Sequence, residues 1–95
     1  MKNEYQNDII GRMRKLREEY GYSQSKIAYL LGISNGQMGN IESPKAPHKY
    51  TLAQIQKICR ELNFPIEQVF LDDGDYAKNM DLISILIEKI VEYEG

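Results

Sequence analysis

In this chain no nucleophile stands with a base at a spacing that points to catalysis. Its one histidine, His48, sits in Ser43-Pro-Lys-Ala-Pro-His-Lys-Tyr50, where Pro44 and Pro47 hold the backbone extended. Its one cysteine, Cys59, falls among Ile55, Ile58 and Leu62 at helical spacing, the position of a small buried hydrophobe. A lone Cys makes no internal disulfide, and one Cys with one His cannot assemble a metal site of the usual Cys/His type. The run Asp72-Asp-Gly-Asp75 begins like a calcium loop, but its glycine comes too early and the later ligand positions are not acidic. No phosphate-binding glycine loop is present, and the remaining carboxylates are spread along helix surfaces and turns. An enzyme is not expected, and neither a cofactor nor a metal is called for.

Charge is concentrated instead. The net charge of -2 over 95 residues hides an asymmetry: residues 1–60 hold ten Lys and Arg against five Asp and Glu, a balance of +5. Residues 61–95 hold two against nine, a balance of -7. This split predicts a basic working surface on the first two thirds and an acidic remainder facing elsewhere. With 42% hydrophobic and 27% charged residues the composition is that of a folded domain, large enough for one modest core. The first eight residues are polar, and nowhere do about 18 apolar residues run together, so a cytoplasmic location is expected.

The elements that must position these charges read as helices throughout. Ile9, Met13, Leu16 and Tyr20 recur at steps of four, three and four, predicting a first helix over 8–20 capped by Asn7 and stopped by Gly21. Ser23 caps a second helix through Leu31, with Ile27, Ala28 and Leu31 inward, ended by Gly32 in the left-handed region. Ser34 with Gln37 three residues on is a capping box that starts a short third helix through Glu42, with Met38 and Ile41 inward. Thr51 and Gln54 repeat that signature before Leu52, Ile55, Ile58, Cys59 and Leu62, a fourth helix closed by Asn63. Pro65 suits the first turn of a fifth, with Val69 and Phe70 turned inward. Asp72–Asp75 reads as a turn or linker, and Met80 to Val91 as a final helix apolar over more than one stripe.

The offsets from Ser23 to Ser34 have a mechanical logic. Ala28 is small where the two short helices cross, Gly32 lets the backbone turn without a Cβ clash, and Ile33 plugs the angle between them. With Ile9, Leu16 and Arg17 before it, Ser23-Gln24, Ala28, Gly32-Ile33-Ser34 and Ile41-Glu42 within it, and the Leu52-Ile55-Ile58-Leu62 helix after it, this stretch resembles the phage-repressor and Cro type of helix-turn-helix domain, the XRE family. The resemblance covers roughly residues 8–71 and implies an all-α fold, a five-helix lambda-repressor-like domain over 1–71; beyond it, turn signals and apolar periodicity predict over 72–95 a linker and an appended C-terminal amphipathic helix.

The resemblance further implies double-stranded DNA as partner. Asn35, Gly36, Gln37 and Asn40 match positions of the third helix that in the family face base edges, and Gln and Asn amides can pair with adenine N6 and N7. Gln24 matches a glutamine that clamps a phosphate and braces the reading helix, while Arg17 and Glu42 match a structural ion pair. Phosphate contacts are expected from Ser23, Gln24, Lys26, Ser34, Lys45, His48 and Lys49, with Arg12 or Arg14 as further cations. Two features depart from the pattern. Gly36 and Gly39 each cost about 1 kcal/mol of helix stability relative to Ala, and the third helix has no Lys or Arg, so direct reading rests on Asn35, Gln37 and Asn40.

The wide apolar face of the last helix implies a partner, most simply a second copy of the chain, through Met80, Ile83, Leu86, Ile87 and Ile90. Folding back over the domain's own core is the competing expectation for the same residues. The expected function is a sequence-specific transcriptional regulator, in the first instance a repressor, binding an inverted repeat as a homodimer. The alternative is an antitoxin-like or anti-regulator interaction module whose tail helix binds another protein.

Overall fold

The computed structural model describes residues 1–78 and 81–95. Its elements among these residues are α1 (Glu4–Glu19), α2 (Gln24–Leu31), α3 (Asn35–Glu42), α4 (Leu52–Glu61), α5 (Glu67–Phe70), α6 (Asp73–Ala77) and α7 (Leu82–Glu94). The fold is all-helical.

Local capping chemistry explains most boundaries. Ser23 accepts from the Lys26 N–H, Ser34 and Gln37 form a reciprocal capping box, and so do Thr51 and Gln54. Gly32 ends α2 at φ 69°, a left-handed conformation that spares the turn into α3 a Cβ penalty. Gly21 after α1 at φ 74° and Asn63 after α4 at φ 52° are further left-handed helix stops.

The first helix departs from the expectation of Asn7 as cap. It starts a turn earlier, because Asn3 and Gln6 make their own capping box: the Asn3 side chain accepts from the Gln6 N–H and Gln6 Oε1 from the Asn3 N–H. The extra turn matters, since it brings Lys2 to the end of α3 and Gln6 to the end of α7. The linker expected at 72–75 is likewise ordered: Asp72 and Asp75 cap each other and start α6.

The core gathers Ile9 and Met13 of α1, Ile27 and Ala28 of α2, Met38 and Ile41 of α3, Ile55 and Ile58 of α4, and Val69 and Phe70 of α5, all buried. Cys59 is 2% exposed in this core, and burial pushes its thiol up to about 11, so it stays an unreactive hydrophobe.

Helix α7 packs on α1, α5 and α6, and its Tyr93 is fully buried, edge-on to Phe70 at 6.0 Å between ring centroids. Of the expected tail contacts, Leu86 and Ile90 are half-buried against the core, whereas Ile83 and Ile87 are 68% and 56% exposed. Met80 lies outside the described residues. The reason is rotational. With Tyr93 and Ile85 inward, Ile83, Ile87 and Val91 fall at steps of four on the outer face, and of the large apolar residues described in α7 that stripe stays in solvent. No helix among the described residues is long and apolar enough to cross a membrane.

Candidate nucleic-acid interface

Helices α2 and α3 meet across Gly32-Ile33-Ser34, where the Ile33 N–H donates to the Ala28 carbonyl at 3.0 Å. Ala28 is 1% exposed, consistent with a small residue demanded by close helix packing. On α3, Met38, Ile41 and Glu42 face the core, so Asn35, Gly36, Gln37 and Asn40 are turned outward together, and all four are exposed. Nothing among the described residues covers this polar face.

Gln37 has a second employment. Its Oε1 accepts from the Ser34 N–H at 3.0 Å while its own N–H donates to Ser34 Oγ at 3.0 Å. The carboxamide oxygen thus serves the helix cap, and a bidentate contact using both oxygen and nitrogen must release it. The two glycines of α3 have open space where a Cβ would stand: Gly36 has only Ser34 Oγ at 3.8 Å, and Gly39 has nothing within 4 Å. Core packing therefore does not explain either glycine.

A helix of eight residues with two glycines needs outside support, and α3 receives it. Arg17 Nε and Nη2 donate to both oxygens of Glu42 at 2.7 and 2.8 Å, and Nη1 donates to the Tyr22 carbonyl at 2.9 Å. Gln24 Nε2 adds a donor to Glu42 Oε1 at 2.9 Å. Glu42 stands at the end of a helix where the backbone dipole disfavours an anion, and its side chain is 2% exposed. Burial alone would raise its carboxyl, but the hydrogen bonds from Arg17 and Gln24 and the charges of Arg17 and Arg14 outweigh it and hold the group below its ordinary value. Gln24 is half-buried, with one N–H spent on this brace, so α2 and α3 are joined at both ends.

Lys2 was not anticipated. Its side chain reaches the other end of α3, where Nζ donates to the carbonyls of Ile41 at 2.7 Å, Ser43 at 2.6 Å and Asn40 at 3.4 Å. The residue is buried, and that burial lowers its pKa from the ordinary lysine value. No local pattern announces this contact. The available hint is compositional: the last turn of α3 contains no basic residue to meet its free carbonyls.

The expected phosphate contacts divide into two groups. Ser23, Lys26, Ser34, Lys45 and His48 are exposed. Lys26 Nζ stands 4.2 Å over the ring centroid of Tyr22, still on the surface. Lys49 is instead turned to the end of α7, where Nζ donates to the carbonyls of Tyr93 at 3.0 Å and Glu94 at 2.9 Å. It is half-buried there and serves as the C-terminal cation of α7. Arg12 is similarly engaged, donating to the Val69 carbonyl at 2.8 Å, and Arg14 lies between Glu18 and Glu42 at 3.8 and 3.9 Å.

The loop between α3 and α4 is fixed from behind by two tyrosines that sequence reasoning passed over. Tyr50 is 1% exposed with its hydroxyl 3.8 Å from Met38 Sδ, and Tyr93 donates its hydroxyl to the Tyr50 carbonyl at 2.8 Å. Gln6 Nε2 donates to the Tyr93 carbonyl at 2.7 Å, which completes the tie between α1, α7 and this loop. Gln37, Ile41, His48 and Lys49 consequently line one shallow groove of about 150 Å³ beside α3. The Gln37 carboxamide thus shares this groove with His48 and Lys49. Comparison with protein-family models, curated proteins and solved structures finds no match for this chain.

Proposed function

We propose that this chain is a sequence-specific DNA-binding transcriptional regulator with a lambda-repressor-like helix-turn-helix, acting as a homodimer on an inverted repeat. The observation that carries the reading is the placement of Asn35, Gly36, Gln37 and Asn40 on the open side of a short helix whose other side is buried. An α-helix of this kind fits a major groove about 12 Å wide, where carboxamides can match the donor and acceptor edges of adenine. The exposed Lys26 and Lys45 supply the sequence-independent attraction to phosphate, and His48 an exposed hydrogen-bonding ring beside Gln37. The glycine at position 36 lets the helix backbone approach the groove more closely than a side chain would allow.

A second reading, a protein-interaction module of the antitoxin or anti-regulator kind, is favoured by one specific feature. The Ile83–Ile87–Val91 stripe remains in solvent after α7 has docked. Such a stripe suits a second copy of the chain in the first reading and a different protein in the second. Selection of bound duplexes from a randomised pool separates them. An enriched inverted repeat, bound with affinity that falls steeply with salt, supports the regulator. Weak binding with no enriched sequence refutes it and leaves the interaction module.

A further inference from the structure

We propose that Lys2 is a positioning residue for DNA reading: its ammonium holds the C-terminal half of α3, and with it Asn40, in the orientation from which the helix meets base edges. This inference rests on the DNA-regulator reading of the α3 face.

Three features converge on it. The last carbonyls of an α-helix have no partner within the helix, and α3 ends at Glu42 with no basic residue in its last turn. A carboxylate at that end opposes the helix dipole and must be neutralised from outside. Arg17 does so on one side, through Glu42 itself. Lys2 does so on the other, with its Nζ within 3.4 Å of the Asn40, Ile41 and Ser43 carbonyls. Gly36 and Gly39 remove the intrinsic stiffness that would otherwise keep so short a helix in place.

The position of Lys2 also excludes the usual role of a lysine in a DNA-binding protein. It is buried, and its donors face backbone carbonyls of α3 and the loop that follows. Its effect on DNA must therefore pass through the helix it holds and not through a phosphate. Asn40 is the telling neighbour: its backbone carbonyl accepts from Lys2 while its side chain belongs to the exposed reading face. Capture of this helix end by α1 is possible only because the Asn3–Gln6 capping box starts α1 at Glu4 and sets Lys2 just ahead of it.

The test uses the full chain and the variants Lys2→Met and Lys2→Arg, with amide hydrogen exchange and duplex binding measured on each. In Lys2→Met, exchange at Gly39–Ser43 should quicken roughly tenfold while α4 amides keep their protection. Affinity for the selected duplex should fall roughly tenfold, with affinity for unrelated duplex and the salt slope unchanged. Lys2→Arg, which retains a cation and donors, should restore most of both. Unchanged exchange in α3 would overturn the proposal. So would a parallel loss of selected and unrelated binding with a shallower salt slope, because Lys2 would then be an ordinary phosphate contact. A wild-type protein with no sequence preference would overturn the regulator reading instead, and α3 exchange would still decide whether Lys2 holds the helix.

Discussion

Replacing Gln37 separates helix capping from base reading, because one carboxamide is asked to do both. In the free protein its oxygen accepts from the Ser34 N–H at 3.0 Å on an exposed helix end, a bond worth about 0.5–1 kcal/mol. A bidentate pair with adenine is worth about 1–3 kcal/mol of discrimination, but forming it releases the cap. The difference leaves about 0–2.5 kcal/mol, or roughly a one- to seventyfold preference at one base pair. Gln37→Ala should therefore lose that preference and also lower the melting temperature by about 4 °C, as expected of a small domain losing one cap. Gln37→Glu keeps the acceptor for Ser34 but not the donor, so it should retain the melting temperature and still lose the adenine preference. The assays are thermal unfolding by circular dichroism and competition binding with duplexes changed at single positions. If Gln37→Ala melts lower yet discriminates among duplexes as the wild type does, Gln37 is a cap alone and the assignment of reading to it is refuted.

Three further outcomes follow from the same geometry. Gly36→Ala and Gly39→Ala meet no clash and should each stabilise the protein to denaturant by about 0.5–1 kcal/mol; Gly36→Ala should nevertheless weaken duplex binding, and unimpaired binding would show that close backbone approach is not used. Glu42 is held below its unfolded value of 4.5, so its pairing stabilises the fold above that value, and this contribution is lost as pH falls through the lower folded value. Urea midpoints followed from neutral pH to about 3 should show this loss, and Arg17→Met should flatten it; an identical acid profile in the variant would mean the pair contributes nothing. Ile83→Glu combined with Ile87→Glu should convert a dimer to monomers in sedimentation, whereas Leu86→Ala should chiefly cost stability, about 1–2 kcal/mol; a wild type that already sediments as a monomer sinks self-association through α7.

Much of the candidate interface was legible before any coordinates. Ser23, Ser34 with Gln37, Gly32 and Thr51 with Gln54 are local signals, each acting over three or four residues, and they place the ends of α2, α3 and α4. Asn3 and Gln6 carry the same kind of signal but precede the apolar stripe of α1, so attention to periodicity alone starts that helix at Asp8, a turn too late. The exposed side of α3 was legible too, since burying Met38 and Ile41 leaves Asn35, Gln37 and Asn40 outward on a 3.6-residue period.

Tertiary structure decided which cations remain on the surface and which close the ends of helices. Lys2 and Lys49 look like any solvated lysine in the sequence, yet each is drawn to a helix terminus by carbonyls roughly forty residues away. The acidic tail gave no sign that Tyr93 would enter the core, because a helix apolar on more than one stripe does not specify which stripe docks. That choice depends on the shape of the surface offered by α1 and α5. By itself the sequence determined the ends and caps of α2, α3 and α4 and the outward residues of α3, because those depend on neighbours within one or two turns. Only the assembled fold determined what holds α3 in place, and that α7 buries Tyr93 and leaves Ile83, Ile87 and Val91 in water, because those contacts join residues far apart along the chain.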